Sequence, residues 1–256
     1  MRIVIKVGTS SLTHSTGNLN IRQVAELCRV LSDLKNMGHE IIFVSSGAIA
    51  MGVGKLSLRA RPKDTPTRQA CAAVGQCELM YVYDKLFSEY NHVVAQVLLT
   101  HGDVKDAVRY QNFSNTISRL LELGCLPIVN ENDTVATEEF AVGDNDSLSA
   151  IVAVAVKADL LVLLSDIDGL YTANPRVDPT ATLIPTVNGV TEEVMALAGD
   201  KGSELSVGGM ATKLKAARMC NEVGCDMIIT NSDKLSALYQ IVDGEAVGTR
   251  FIAPKR

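Results

Sequence analysis

The chain has no tryptophan, only 4% aromatic residues, and lysines and arginines scattered rather than blocked. A nonspecific nucleic-acid binder would show a basic stripe and aromatic stacking platforms, so the composition argues against that class. No run approaches ~18 uninterrupted apolar residues, which excludes a transmembrane helix. The apolar run at the N-terminus breaks at Lys6, too soon for a signal-peptide core, and the chain reads as cytoplasmic. None of the six cysteines forms a C-x-x-C pair, and no histidine stands near them at zinc-ligand spacing. They read as small buried hydrophobes in a reducing compartment. The four histidines fit neither H-E-x-x-H nor a triad signature.

What remains is an ordinary globular composition. In 256 residues, 47% are hydrophobic and 21% charged, with a net charge of −5. That is too apolar for a disordered chain and long enough to bury a substantial core. Short apolar runs alternate with helical stretches. Strands are predicted at Ile3–Val7, Ile41–Val44, Val93–Leu99, Leu126–Asn130, Leu160–Leu164 and Met227–Thr230. Between them, helices are predicted from Ile21, over Arg68–Phe87, Asn112–Leu123, Ser147–Lys157 and Gly209–Val223. Asn20 with Gln23 forms an N-cap pattern, and Gly38, Gly124 and Gly224 are C-terminal stops. Residues Asp166–Gly189 read as a loop rich in Asn, Pro, Asp and Thr.

Strands that are apolar throughout are buried on both faces, and intervening helices imply right-handed crossovers. The predicted fold is α/β, a three-layer α/β/α sandwich with a mainly parallel central sheet. In such sheets ligands bind beyond the carboxyl ends of the strands. The polar clusters fall at those places: Lys6, Ser45-Ser46-Gly47, Asn130-Glu131-Asn132-Asp133 and Ser165-Asp166.

Lys6-Val7-Gly8-Thr9-Ser10 suits phosphate contact, since glycine lets backbone amides approach an anion; it also reads as a surface lysine before a turn. Val207-Gly208-Gly209-Met210-Ala211-Thr212-Lys213 opens a helix, where amides and dipole favour an anion. It is neither a Walker sequence nor G-x-G-x-x-G, and a flexible turn would look similar. Val142-Gly143-Asp144-Asn145-Asp146-Ser147 carries two carboxylates ahead of a helix, which ordinary capping also explains. Two separated lysines, Gly-rich turns and acidic loops together suggest phosphoryl transfer, with lysines neutralising phosphate oxygens. No catalytic base stands out. A carboxylate acceptor, with a pKa of about 4, would need none.

With these segments, and with Gly169-Leu170-Tyr171-Thr172-Ala173-Asn174-Pro175-Arg176, the chain resembles the amino acid kinase family over about residues 1–253. Asn130-Glu131-Asn132-Asp133 and Gly143-Asp144-Asn145-Asp146 point to its glutamate-phosphorylating branch. The resemblance implies that ATP phosphorylates the γ-carboxylate of L-glutamate, the first step of proline biosynthesis, with Mg²⁺ bridging the ATP phosphates. It implies that Lys6 and Lys213 contact phosphates, with Asp146 orienting both. Ser46, Asp133 and Asn145 would bind glutamate. Lys6, Ser165, Asp166 and the run Val207, Gly208, Gly209, Met210, Ala211, Thr212 and Lys213 would line the nucleotide. No protein-held metal is implied.

One kinase domain is expected, with about residues 1–150 on the substrate side and about 151–256 on the nucleotide side. The C-terminal PUA domain of many members is expected to be absent. A homodimer or homotetramer and feedback by proline are further implications of the resemblance. Val207 and Ser165 stand where the family more often has a small or hydroxyl residue and threonine. The nearest alternatives are kinases acting on acetylglutamate, aspartate or carbamate, or a non-catalytic sensor. Asp133 discriminates among the acceptors, because a free α-ammonium wants a carboxylate and an N-acetyl group does not.

Overall fold

The computed structural model describes residues 1–14, 16, 18–136, 145–198 and 209–254. In chain order the elements are β1 (Arg2–Val7), α1 (Thr9–Leu12), α2 (Ile21–Asn36), β2 (Glu40–Val44), α3 (Ala48–Lys55) and α4 (Thr65–Ser88). Next come β3 (Val94–Leu99), α5 (His101–Lys105), α6 (Ala107–Glu122), β4 (Leu126–Glu131), α7 (Asn145–Ala155) and β5 (Leu160–Ser165). The last are β6 (Thr186–Asn188), α8 (Glu192–Ala196), α9 (Met210–Glu222), β7 (Asp226–Asn231), α10 (Ala237–Val242) and β8 (Thr249–Ile252). The class is α/β, as the alternation implies. Among the described residues, no helix is long and apolar enough to cross a membrane.

Two compact units divide the chain, one of Val7–Glu139 and one of Met1–Lys6 with Phe140–Arg256. In the Val7–Glu139 unit the strand order is β3-β4-β2, with β4 parallel to both neighbours. Every residue of β4 is buried, whereas β3 at the end of the order leaves Gln96 exposed. Helix α2 contributes the buried stripe Val24, Leu27, Cys28, Leu31 and Leu34, one face at helical spacing. Its start is fixed by Asn20, whose side chain accepts from the Gln23 amide at 3.2 Å.

Helix α4 begins earlier than its apolar pattern predicts. Asp64 accepts from the Thr67 amide at 2.9 Å, and Pro66 occupies the first turn, where its missing N–H costs nothing. The same cause extends α6 to Ala107, where Asp106 caps Val108 and Arg109 at 3.0 Å each. Helices α3 and α4 meet backbone to backbone. A Cβ on Gly75 would lie 1.8 Å from the Ala48 carbonyl, and one on Gly52 would lie 1.9 Å from that of Cys71. Only glycine permits that approach.

In the other unit the order is β1-β5-β7-β8-β6; β5 and β7 run parallel, as do β6 and β8, while β8 runs antiparallel to β7. All six residues of β5 are buried, so both of its faces are covered. Leu148, Val152 and Ala153 of α7 and Leu214, Ala217 and Cys220 of α9 are buried in this unit. The stretch expected as loop, Asp166–Gly189, holds the short strand β6, a difference that follows from β6 having only three residues. Thr249 ties this stretch down: it accepts from the Leu170 amide at 2.8 Å and donates to the Ile184 carbonyl at 2.6 Å.

Candidate active site

Lys6 lies at the end of β1 because the buried run Ile3, Val4, Ile5 carries it there, and it is only 5% exposed. Its Nζ donates to Asp146 Oδ1 at 2.6 Å. Lys213, in the first turns of α9 and 4% exposed, donates from Nζ to Asp146 Oδ2 at 2.9 Å. Asp146 lies in the first turn of α7, fully buried. A helix N-terminus stabilises its negative charge.

All three groups belong to one unit, though they are drawn from opposite ends of the sequence. Each carboxylate oxygen serves one lysine. Two lysine ammonium groups thus converge on one buried carboxylate. A buried charge is tolerated only when paired, so Asp146 makes it possible to hold two ammonium groups together out of water. Such a centre is suited to a polyanion whose charge grows during reaction.

Around it, Gly209 caps α9 with no side-chain acceptor, and Thr212 Oγ1 donates to the Gly209 carbonyl at 2.8 Å. Met210 and Ala211 begin this 13-residue helix, whose first amides point out of its N-terminus. Ser165 closes β5 and donates to Asp166 Oδ1 at 3.2 Å, and the exposed Asp166 pairs with Arg176 at 3.3 Å. Asn145 is the buried first residue of α7, immediately before Asp146. Val207, Gly208, Gly143 and Asp144 lie outside the described residues.

The Val7–Glu139 unit carries the other polar cluster. Ser46 follows β2 and is buried, ahead of Gly47, whose φ of +91° turns the chain into α3. Asp133 follows β4 and is half-buried. Asn130 is 2% exposed; its Oδ1 accepts from the Glu131 amide and its Nδ2 donates to Gln76 Oε1, both at 2.9 Å. Gln76 Nε2 in turn donates to Gln96 Oε1 at 3.0 Å. Tyr83 and Ser45 hydroxyls lie 2.8 Å apart. Ser45 Oγ also lies 3.3 Å from the Ser46 carbonyl oxygen. Burial pushes the Tyr83 phenol well above its ordinary pKa, keeping it protonated.

Sequence reasoning missed Gln76 and Tyr83. The signal was present, because Gln76 interrupts the buried stripe Cys71, Ala72, Leu79 of α4 with a polar side chain. Among the described residues, no group of three or more His, Cys, Asp or Glu could hold a metal ion. Asp146 has each oxygen bonded to a lysine.

Residues 1–231 match the model of the amino acid kinase family. A glutamate 5-kinase of Clostridium acetobutylicum is 53% identical over 98% of this chain and 94% of its own length. One from Carboxydothermus hydrogenoformans is 52% identical over 100% of the chain and 68% of its own. Among solved structures, a Giardia lamblia carbamate kinase bound to AMP-PNP superposes with a TM-score of 0.70 at 17% identity, covering 99% of this chain and 98% of that one. UMP kinase from Bacillus anthracis gives 0.64 at 18% identity, over 99% and 96%. Those two likenesses bear on the fold. The extent of the family match and the identity to the first two proteins establish the relationship: the chain belongs to the amino acid kinase family.

Proposed function

We propose that the protein transfers the γ-phosphoryl group of ATP to the γ-carboxylate of L-glutamate, giving L-glutamyl 5-phosphate and ADP, the first step toward proline. The observation that carries this reading is the buried Lys6–Asp146–Lys213 centre. A carboxylate oxygen attacks the γ-phosphorus as the bond to the bridging oxygen of ADP breaks. The acceptor is ionised near neutrality, so no base is required and the chemical work is neutralisation and alignment. Lys6 and Lys213 stabilise the equatorial oxygens, and Asp146 orients both ammonium groups. Mg²⁺ enters as part of the MgATP substrate.

Ser165, Asp166 and Val207 to Lys213 are assigned to the nucleotide. Ser46, Asp133 and Asn145 are assigned to glutamate, with Asp133 facing the α-ammonium. Proline, which keeps an α-carboxylate and an ammonium, competes for that subsite in this reading; a proline dose series that leaves the glutamate KM unchanged would reject it. A homo-oligomer in the cytoplasm is the proposed working state, with sedimentation of the purified chain as its check.

The direct test is incubation with MgATP and each acceptor in hydroxylamine, which traps acyl phosphates as hydroxamates. Glutamate should give hydroxamate, and aspartate, N-acetylglutamate and carbamate little. Equal turnover of N-acetylglutamate would remove the role of Asp133, and no product with any acceptor would remove the reaction.

A further inference from the structure

Gln69, Gln76 and Tyr83 recur every seven residues along α4, two helical turns apart, and so share one face. Each touches a strand-end segment of the same unit. Gln69 Nε2 donates to the Ala136 carbonyl at a long 3.4 Å, Gln76 accepts from Asn130 at 2.9 Å, and Tyr83 bonds Ser45 at 2.8 Å. Ser45 follows β2 directly and Asn130 is the next-to-last residue of β4, each one step beyond the register pair Val44 and Val129, with the Ser45 amide on the Val129 carbonyl at 2.9 Å. One helix face therefore holds the segment before Ser46 and both ends of the segment that carries Asp133.

We propose that Gln76, with Tyr83 and Gln69 beside it, is a positioning residue for the acceptor: the polar face of α4 sets the placement of Ser46 and Asp133. The proposal rests on the acceptor reading above. The physical link runs through Asn130. Its amide is planar, so the bond from Nδ2 to Gln76 fixes where Oδ1 points. Oδ1 in turn holds the Glu131 amide, the peptide at which β4 gives way to Asn132 and Asp133. Without the Gln76 acceptor, a buried N–H must seek another, and rotating the amide lifts Oδ1 off Glu131. The segment then loses one of its anchors to β4 and shifts as one piece about the bond that remains from the Asn132 amide to the Leu99 carbonyl at 2.8 Å, because the Asn132 carbonyl accepts from the Val135 and Ala136 amides at 3.1 and 3.0 Å. The neutral links have a further consequence: they aim residues without adding charge beside a zwitterionic acceptor.

The test compares Gln76→Met, Tyr83→Phe and Gln69→Met in the full chain by steady-state kinetics with glutamate and MgATP varied separately. Gln76→Met should raise the glutamate KM about three- to tenfold, the worth of one neutral hydrogen bond. The MgATP KM should stay within about twofold, since nothing on this helix face is assigned to nucleotide. Tyr83→Phe should give a smaller rise, since Tyr83 bonds only Ser45 whereas Gln76 bonds both Asn130 and Gln96, and Gln69→Met the smallest, since its bond is the longest of the three. Hydrogen exchange of a peptide spanning residues 130–136 should quicken in Gln76→Met. An unchanged glutamate KM with unchanged exchange overturns the proposal, as does an equal rise in both KM values. If Gln76→Met does not fold, Tyr83→Phe decides by the same split. Should the unaltered protein make no glutamyl hydroxamate, the acceptor reading fails by itself, and the exchange measurement alone decides the positioning role.

Discussion

The two units solve opposite problems with opposite bonds. Around Asp146, three ionised groups are buried and joined at 2.6 and 2.9 Å. Around Asn130, a chain of neutral amides spans Gln96, Gln76, Asn130 and the Glu131 amide at 2.9–3.0 Å. A buried ion pair costs ~3–5 kcal/mol when one partner is removed, against ~1 kcal/mol for a neutral hydrogen bond. The charged centre is thus the less forgiving of the two. It suits a task in which charge itself is the catalyst, while the neutral network suits the placement of a substrate that brings its own charges. The comparison teaches that stability and chemistry are coupled in one unit and nearly separable in the other.

The sharpest way to break that contrast is to change the centre one charge at a time. Lys6→Ala or Lys213→Ala leaves Asp146 paired with the other lysine, so the fold should hold. The lost donor should lower kcat by at least ~100-fold. Asp146→Asn instead takes the shared carboxylate away from two buried ammonium groups. It should lose activity on the same scale and also ~3–5 kcal/mol of stability. Parallel thermal melts and turnover measurements distinguish the two patterns. Near-normal turnover in either lysine variant would remove that lysine from the mechanism. In the other unit, Asp133→Asn should raise the glutamate KM about ten- to a hundredfold, the worth of a charge-assisted bond, with an unshifted melt. A variant whose melt falls as KM rises would show that the acceptor side is no more separable than the transfer side.

How much of this was legible in the sequence follows the range of the interactions. Strands such as Leu160–Ser165 were legible because continuous burial is a local pattern, and Asn20 because a cap is written within four residues. The starts of α4 and α6 were read too late, since Asp64 and Asp106 precede first turns that carry no apolar period. Lys6, Asp146 and Lys213 were each visible as polar residues at an element end. That they converge was supplied by family resemblance, because nothing local says that residue 6 meets residues 146 and 213. Gln76 was passed over for a different reason, although its break in the apolar stripe of α4 could have marked it. A glutamine in a helix reads as solvated, and only Asn130, 54 residues away, makes it otherwise.

The smallest effect expected is also the one that asks whether the units respond separately to ligands. Each carries a fully buried thiol on the helix that matters: Cys71 on α4 and Cys220 on α9. A hydrogen bond with Cys225, and burial after it, raise the pKa of Cys220, and burial alone raises that of Cys28 to about 12; Cys71 is screened from reagent by its burial, so none of the three reacts from the closed state. Exposed Cys77 should react with a thiol reagent first, and the buried ones only at the rate at which their surroundings open. A ligand that binds only the closed form slows opening by the factor 1 + [L]/Kd, about elevenfold at ten times Kd. Glutamate should therefore protect Cys71 and MgATP should protect Cys220, each read by mass spectrometry of the labelled peptides. The reverse pattern would exchange the roles assigned to the two units. Equal protection of both thiols by either ligand would mean that the chain opens as a whole, and the contrast between a charged and a neutral half would then describe bonding alone.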